Sequence, residues 1–112
     1  MSKPIEWVGS AKHAVSAFPP EVRRDAGFEL RRVQEGLDPT DFRSMVGIGH
    51  GVREIRLHSQ LEHRVIYLAK FAEAVYVLHA FEKKTRATAL RDTAVARSRY
   101  RDVLRDRRLR GS

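Results

Sequence analysis

Apolar positions along the chain follow two different periods. From Glu21 to Glu35 they recur at steps of three and four. Val22, Ala26, Leu30, Val33 and Leu37 fall on one helical face, with Arg23, Arg24, Arg31, Arg32 and Glu35 mostly on the other. Pro19-Pro20 opens this helix, where a missing N–H costs nothing, and Gly36 caps its end. A shorter helix, Ala11 to Ala17, precedes it, with Ser10 as N-cap and Ala11, Val15 and Phe18 turned inward. The pair reads as a helical hairpin that must cover an apolar surface.

Strand signals surround the hairpin. Ile5 to Val8 reads as a short first strand, and Met45 to Ile48 as the start of another. Val52 to His58 alternates, so Ile55 and Leu57 face the core and Glu54 and Arg56 an open face. In His63 to Lys70, Val65, Tyr67 and Ala69 share one side, and Arg64, Ile66 and Leu68 the other. Val75 to Ala80 is an unbroken run suited to a central strand, breaking into charge at Glu82, Lys83 and Lys84. Turns of three to four residues, Ser59 to Glu62 and Phe71 to Glu73, imply an antiparallel meander. A final helix runs from Ala87 or Thr88 to Leu109, with Thr85 or Thr88 as its cap. Its apolar stripe of Leu90, Ala94, Tyr100, Val103 and Leu104 is thin. The first half is expected to dock, and the Arg-rich half to be solvated or to order only with a partner.

The chain, residues 1–112, suits one α+β domain with a basic helical tail from about residue 95. Absence of Cys excludes disulfides and Cys-based zinc sites. No apolar run approaches the ~18 residues of a membrane span, and the N-terminus has no secretory apolar region, so a cytoplasmic location is expected. The net charge is +8. Such a balance favours an anionic partner. Arg97 to Arg110 holds seven Arg and two Asp, or +5 of this total, so charge alone does not locate a site elsewhere.

Three segments then narrow the reading. Gly51-Val-Arg-Glu-Ile-Arg56, His63-Arg-Val-Ile-Tyr67 and Val77-Leu-His-Ala-Phe-Glu-Lys-Lys-Thr85 stand in this order. Together they resemble the RelE/ParE superfamily, most closely the phage-type HigB-like toxins of type II toxin–antitoxin systems. The resemblance implies a RelE-like microdomain, with two N-terminal helices on a small antiparallel sheet and a C-terminal helix. It further implies a metal-independent, ribosome-dependent mRNA endonuclease that uses no cofactor and inhibits translation. A cognate antitoxin, mRNA and the ribosome are its implied partners. The ParE branch poisons DNA gyrase instead, and is the alternative. By the same resemblance, Arg56, Arg64 and Lys83 or Lys84 match the catalytic positions. His63 stands where relatives commonly have an aromatic residue. No Tyr follows Lys84 to stack on a base, so stacking falls to Phe81 or a histidine.

Metal-free RNA cleavage needs a base for the 2′-OH, cations for the phosphorane and an acid for the leaving 5′-oxygen. Arg56 and Arg64 suit phosphate binding, since guanidinium stays charged and binds phosphate oxygens in pairs. Crowded cations disfavour the charged form of Lys, which fits Lys83 or Lys84 for phosphate stabilisation with proton transfer. The resemblance places Lys83 nearest the catalytic position, with Lys84 as a phosphate or cap contact. Arg53, His50, His79 and Phe81 are the candidate RNA-binding residues. The same charges also read as solvated groups on a sheet face, and His79 as a satisfied core residue. No third ligand accompanies His58 and His63, so no metal site is assigned. Gly47-Ile-Gly-His-Gly51 lacks a phosphate loop's strand-to-helix setting and reads as a mobile loop or bulge.

Overall fold

The computed structural model describes residues 2–111. In chain order the elements are β1 (Ile5–Trp7), α1 (Ala11–Ser16), α2 (Pro20–Gln34), β2 (Phe42–Ser44), β3 (Val52–Leu57), β4 (His63–Leu68), β5 (Val75–Glu82) and α3 (Leu90–Arg110). The strands form one sheet in the order β1-β5-β4-β3-β2. Strands β2 to β5 pair antiparallel, as the short turns imply, but β1 runs parallel to β5. The sheet is therefore mixed rather than antiparallel throughout. Parallel neighbours need a long crossover, and everything from α1 to β4 supplies it.

The hairpin packs as its periodicity predicts. Val22, Ala26, Leu30 and Val33 of α2, with Ala11 and Val15 of α1, bury against Ile55, Leu57, Val65, Tyr67, Val75, Val77 and Ala80. Leu37 departs from the stripe and is exposed. It lies beyond Gly36, whose φ of +85° turns the chain away after the last helical turn. Ser10 is the N-cap residue of α1, but its side chain makes no capping hydrogen bond. Its hydroxyl accepts from Arg99 instead.

The opposite sheet face is not open. α3 covers it, and Ala96 and Val103 pack with Ile48, Val52, Ile66, Leu68, Tyr76 and Leu78. With both faces covered, every residue of β4 is buried. α3 starts at Leu90, later than expected, and Leu90 is 88% exposed rather than part of a docking stripe. Neither Thr85 nor Thr88 caps it, since their hydroxyls bond Ala87 O and Glu54. The Arg-rich half is tied down more than its composition suggests. Arg99 donates to Leu78 O, Arg107 forks onto Glu73 and lies over the Phe71 ring, and Arg110 donates to the Tyr76 hydroxyl. Glu73 is held down at about 2 by Arg107, with help from Tyr76.

The strand expected at Met45 to Ile48 lies earlier, at Phe42–Ser44. Met45 itself still bonds Val52 O, and then Ile48 N–H donates back to Met45 O as the chain turns. Gly49 in this turn faces the Tyr100 ring, and a Cβ there would come within 2.4 Å of it.

Candidate functional site

One irregularity in β5 sets up the site. Ile66 pairs with His79 but Tyr67 pairs with Val77, so Leu78 is an extra, unpaired residue. A bulge of this kind shifts the alternation of faces. Val75 and Val77 point toward α1 and α2, and Tyr76 and Leu78 toward α3. Past the bulge, Ala80 faces the hairpin, while His79 and Phe81 join the α3 side. Uninterrupted alternation would put Lys83 on the side of Val75 and Val77; the bulge overturns that parity. Lys83, two residues beyond Phe81, follows onto the α3 side. Arg99 stabilises the bulge by donating to the Leu78 carbonyl at 2.9 Å.

The same face of β3 and β4 carries Glu54, Arg56 and Arg64. Arg56 and Arg64 are direct cross-strand partners, which places like charges about 5 Å apart at Cβ and is unfavourable alone. Carboxylates offset it. Glu62 Oε1 lies 3.0 Å from Arg64 Nη1, Glu54 Oε1 lies 3.7 Å from Arg64 Nε, and Asp41 Oδ1 lies 3.8 Å from Arg56 Nη1. Glu54, read from sequence as open, is only 1% exposed. Its other oxygen accepts from the Thr88 hydroxyl at 2.8 Å, and Arg43 approaches within 3.7 Å. The Arg64 side chain is 5% exposed, and its buried Nε makes no hydrogen bond. Arg56 is more open, at 35%.

His79 completes the group. Its Nε2 lies 2.8 Å from Asp92 Oδ1 in the first turn of α3, and its ring stacks on Phe81. In a neutral ring the carboxylate beside Nε2 favours the proton there, and the buried Nδ1 has no hydrogen-bond partner. Lys83 Nζ donates to Arg86 O at 2.6 Å, and Lys83 N–H donates to Glu62 O at 2.7 Å. Lys84 is exposed just beyond.

Two predicted residues lie elsewhere. Arg53 faces the hairpin side, bonded to Asp38 at 2.8 Å and stacked over Phe42. Strand alternation separates it from Arg56 despite its place in the same motif. His50 is exposed at the opposite end of β3, beside Lys70 at 3.3 Å. Arg56 lies four residues, about 13 Å, along the strand from the first residue of β3, so His50, which precedes β3, does not share the corner, and Arg53 is excluded by its face.

Several groups at this corner were not singled out from sequence. Asp41, Glu62, Thr88 and Asp92 converge on it from four connections or helix starts. His58 bridges two of them, with Nδ1 2.8 Å from Glu62 and Nε2 2.6 Å from Asp41. Those hydrogen bonds, to Glu62 first and Asp41 second, raise the His58 pKa above its ordinary 6.5. Glu62 is lowered by His58 first and by Arg64 after it. His63 does not approach His58; it packs edge-on to Phe18 on the other face. Among the described residues no group of His, Asp and Glu is arranged to hold a metal ion.

A mixed sheet with helices on both faces and paired arginines at one end defines a small α+β protein with a cationic corner. The family model for phage-derived Gp49-like proteins (DUF891) matches residues 13–101. The chain belongs to that family, a RelE/HigB-type toxin-like family associated with toxin–antitoxin systems. No curated protein matches the chain. No helix among the described residues is long and apolar enough to cross a membrane.

Proposed function

We propose that the chain is the toxin of a type II toxin–antitoxin system and acts as a metal-independent mRNA endonuclease on the ribosome. The observation that supports this is the convergence of Arg56, Arg64, His79, Phe81 and Lys83 on one sheet face at one end. In this reading Arg56 takes a phosphate oxygen first, being the more exposed arginine. Arg64 supplies charge from behind once a phosphate competes with Glu62 for its guanidinium. Guanidinium groups aimed at the developing phosphorane stabilise it more than the ground state. Asp92 orients His79, whose Nδ1 is buried and can accept the 2′-OH proton only once it is uncovered, and the Phe81 ring supports a base by stacking. Lys83 serves the leaving 5′-oxygen, and Lys84 holds a neighbouring phosphate.

The segment from Lys83 to Ala89 is tied to this corner by the Thr88–Glu54 bond and braced internally by the Lys83–Arg86 bond. Productive binding requires it to yield. The cognate antitoxin is expected to present an acidic or amphipathic segment to the basic face. The test is expression in bacteria with mapping of mRNA 5′ ends. Growth arrest with new, codon-positioned 5′ ends supports the reading. Growth arrest with intact mRNA and inhibited supercoiling would replace it with a ParE-like gyrase poison.

A further inference from the structure

Both nitrogens of His58 face carboxylates, Glu62 at 2.8 Å and Asp41 at 2.6 Å. A neutral imidazole has one N–H donor and one lone pair. It can satisfy one of these carboxylates and must repel the other. The bridged geometry therefore requires the imidazolium, which donates from both nitrogens. Each carboxylate also reaches an arginine of the corner, Asp41 to Arg56 and Glu62 to Arg64. His58 thus stands one step behind the arginine pair and shares both of its counter-ions.

We propose that Asp41, His58 and Glu62 form a proton-controlled gate over the Arg56–Arg64 pair, so that this corner binds phosphate groups when His58 is protonated and turns them away when it is neutral. The inference rests on the reading of this corner as the phosphate site and adds its regulation. With His58 protonated, three cations face two carboxylates, and the corner carries a surplus of one positive charge. Both carboxylates are then occupied by the imidazolium, and a phosphate competes for the arginines against partners already neutralised. With His58 neutral, the five groups sum to zero. The carboxylate that loses its donor turns onto the arginines, which become internally paired.

The other charges around His58 are the same in both of its protonation states and leave the one-charge difference unchanged. Arg43 and Glu54 lie behind Arg64 and pair with each other at 3.7 Å. From β5, Lys83 meets Glu62 through its backbone N–H, with its ammonium on Arg86 O. From α2, Glu21 engages Gln60 in the β3–β4 turn. The raised pKa of His58 puts the transition above 6.5, within reach of neutral pH. The sign follows: anion affinity is high below the folded-state value and falls as pH rises through it. By linkage, a bound anion must raise the His58 value in turn.

The test uses the full chain and a 2′-O-methyl oligoribonucleotide, which offers phosphates but no 2′-OH for cleavage. Binding is followed by anisotropy from pH 5.5 to 9 at constant ionic strength, for the wild type and for His58→Gln. Wild-type affinity is expected to fall by up to about tenfold per pH unit above the transition, the limit for one linked proton. His58→Gln is expected to bind weakly at every pH, with no slope. NMR of the His58 ring in the wild type provides a second readout, with sulfate as the probe expected to shift its titration upward. An equal slope in both proteins, or no binding of the oligonucleotide, overturns the gate. So does a His58 titration that sulfate leaves in place. Cleavage mapped in cells with pH-independent binding would remove the gate and leave the nuclease. The predicted slope without cleavage would do the reverse.

Discussion

Arg99 is the residue on which the bulge in β5 most depends. Its Nη1 donates to the Leu78 carbonyl at 2.9 Å, and its Nη2 donates to Ser10 Oγ at 2.9 Å. Leu78 is the residue left without a cross-strand partner, and its side chain is fully buried. Arg99→Ala leaves that carbonyl without its charged donor. A hydrogen bond to a charged group contributes about 1.5–3 kcal/mol, and the exposed Ser10 contact adds little. A loss of about 2 kcal/mol corresponds to a Tm lowered by roughly 8 °C at this chain length. Urea and thermal unfolding monitored by circular dichroism would measure both. Ser10→Ala serves as the control and should cost under about 1 kcal/mol. The bulge also sets which side of β5 carries His79, Phe81 and Lys83, so Arg99→Ala should lower cleavage more than Ser10→Ala in protein that is still folded. A change below about 0.5 kcal/mol would refute the reasoning and show that Arg99 does not hold the bulge.

Other consequences are equally direct. Leu30→Ala, at a buried position between α2 and the sheet, should cost about 2–5 kcal/mol in denaturant titration; a shift within ~0.5 kcal/mol would mean the helix docks otherwise. Lys83→Ala should reduce single-turnover cleavage on programmed ribosomes by ~10²–10⁴-fold with the fold intact. Lys84→Ala should instead weaken binding and lower the salt slope by about one phosphate contact, and the opposite pattern reverses their roles. Glu73 is depressed to about 2 by Arg107, so its contribution is present above its unfolded value near 4.5 and fades as pH falls toward 2. Glu73→Gln should flatten the acid limb of the stability curve, and an unchanged limb would show that the pair contributes nothing in solution.

The sequence by itself was enough for the helical hairpin and its buried face, because the period of α2 is strict and one side is charged. The succession of β3, β4 and β5 was legible too, from alternation and short turns, as was the location of Arg56 and Arg64 on one side of them. Other features depend on contacts between distant residues. The bulge at Leu78 has no local signature in an apolar run, and its freed carbonyl finds a donor only in Arg99, 21 residues on. Arg53 and Arg56 sit in one motif yet face opposite layers, since three steps along a strand reverse the side. The thin apolar stripe of α3 understated its docking. Ala96 and Val103 fill the interface while arginines reach around it to Glu73, Leu78 O and Ser10. Glu54 looked like an open-face charge because nothing in sequence shows that Thr88 and two arginines will enclose it. The environment of His58 was hidden for the same reason. Its neighbours Asp41 and Glu62 lie 17 positions before and four after it, and only the antiparallel register of β2, β3 and β4 brings their carboxylates to one imidazole.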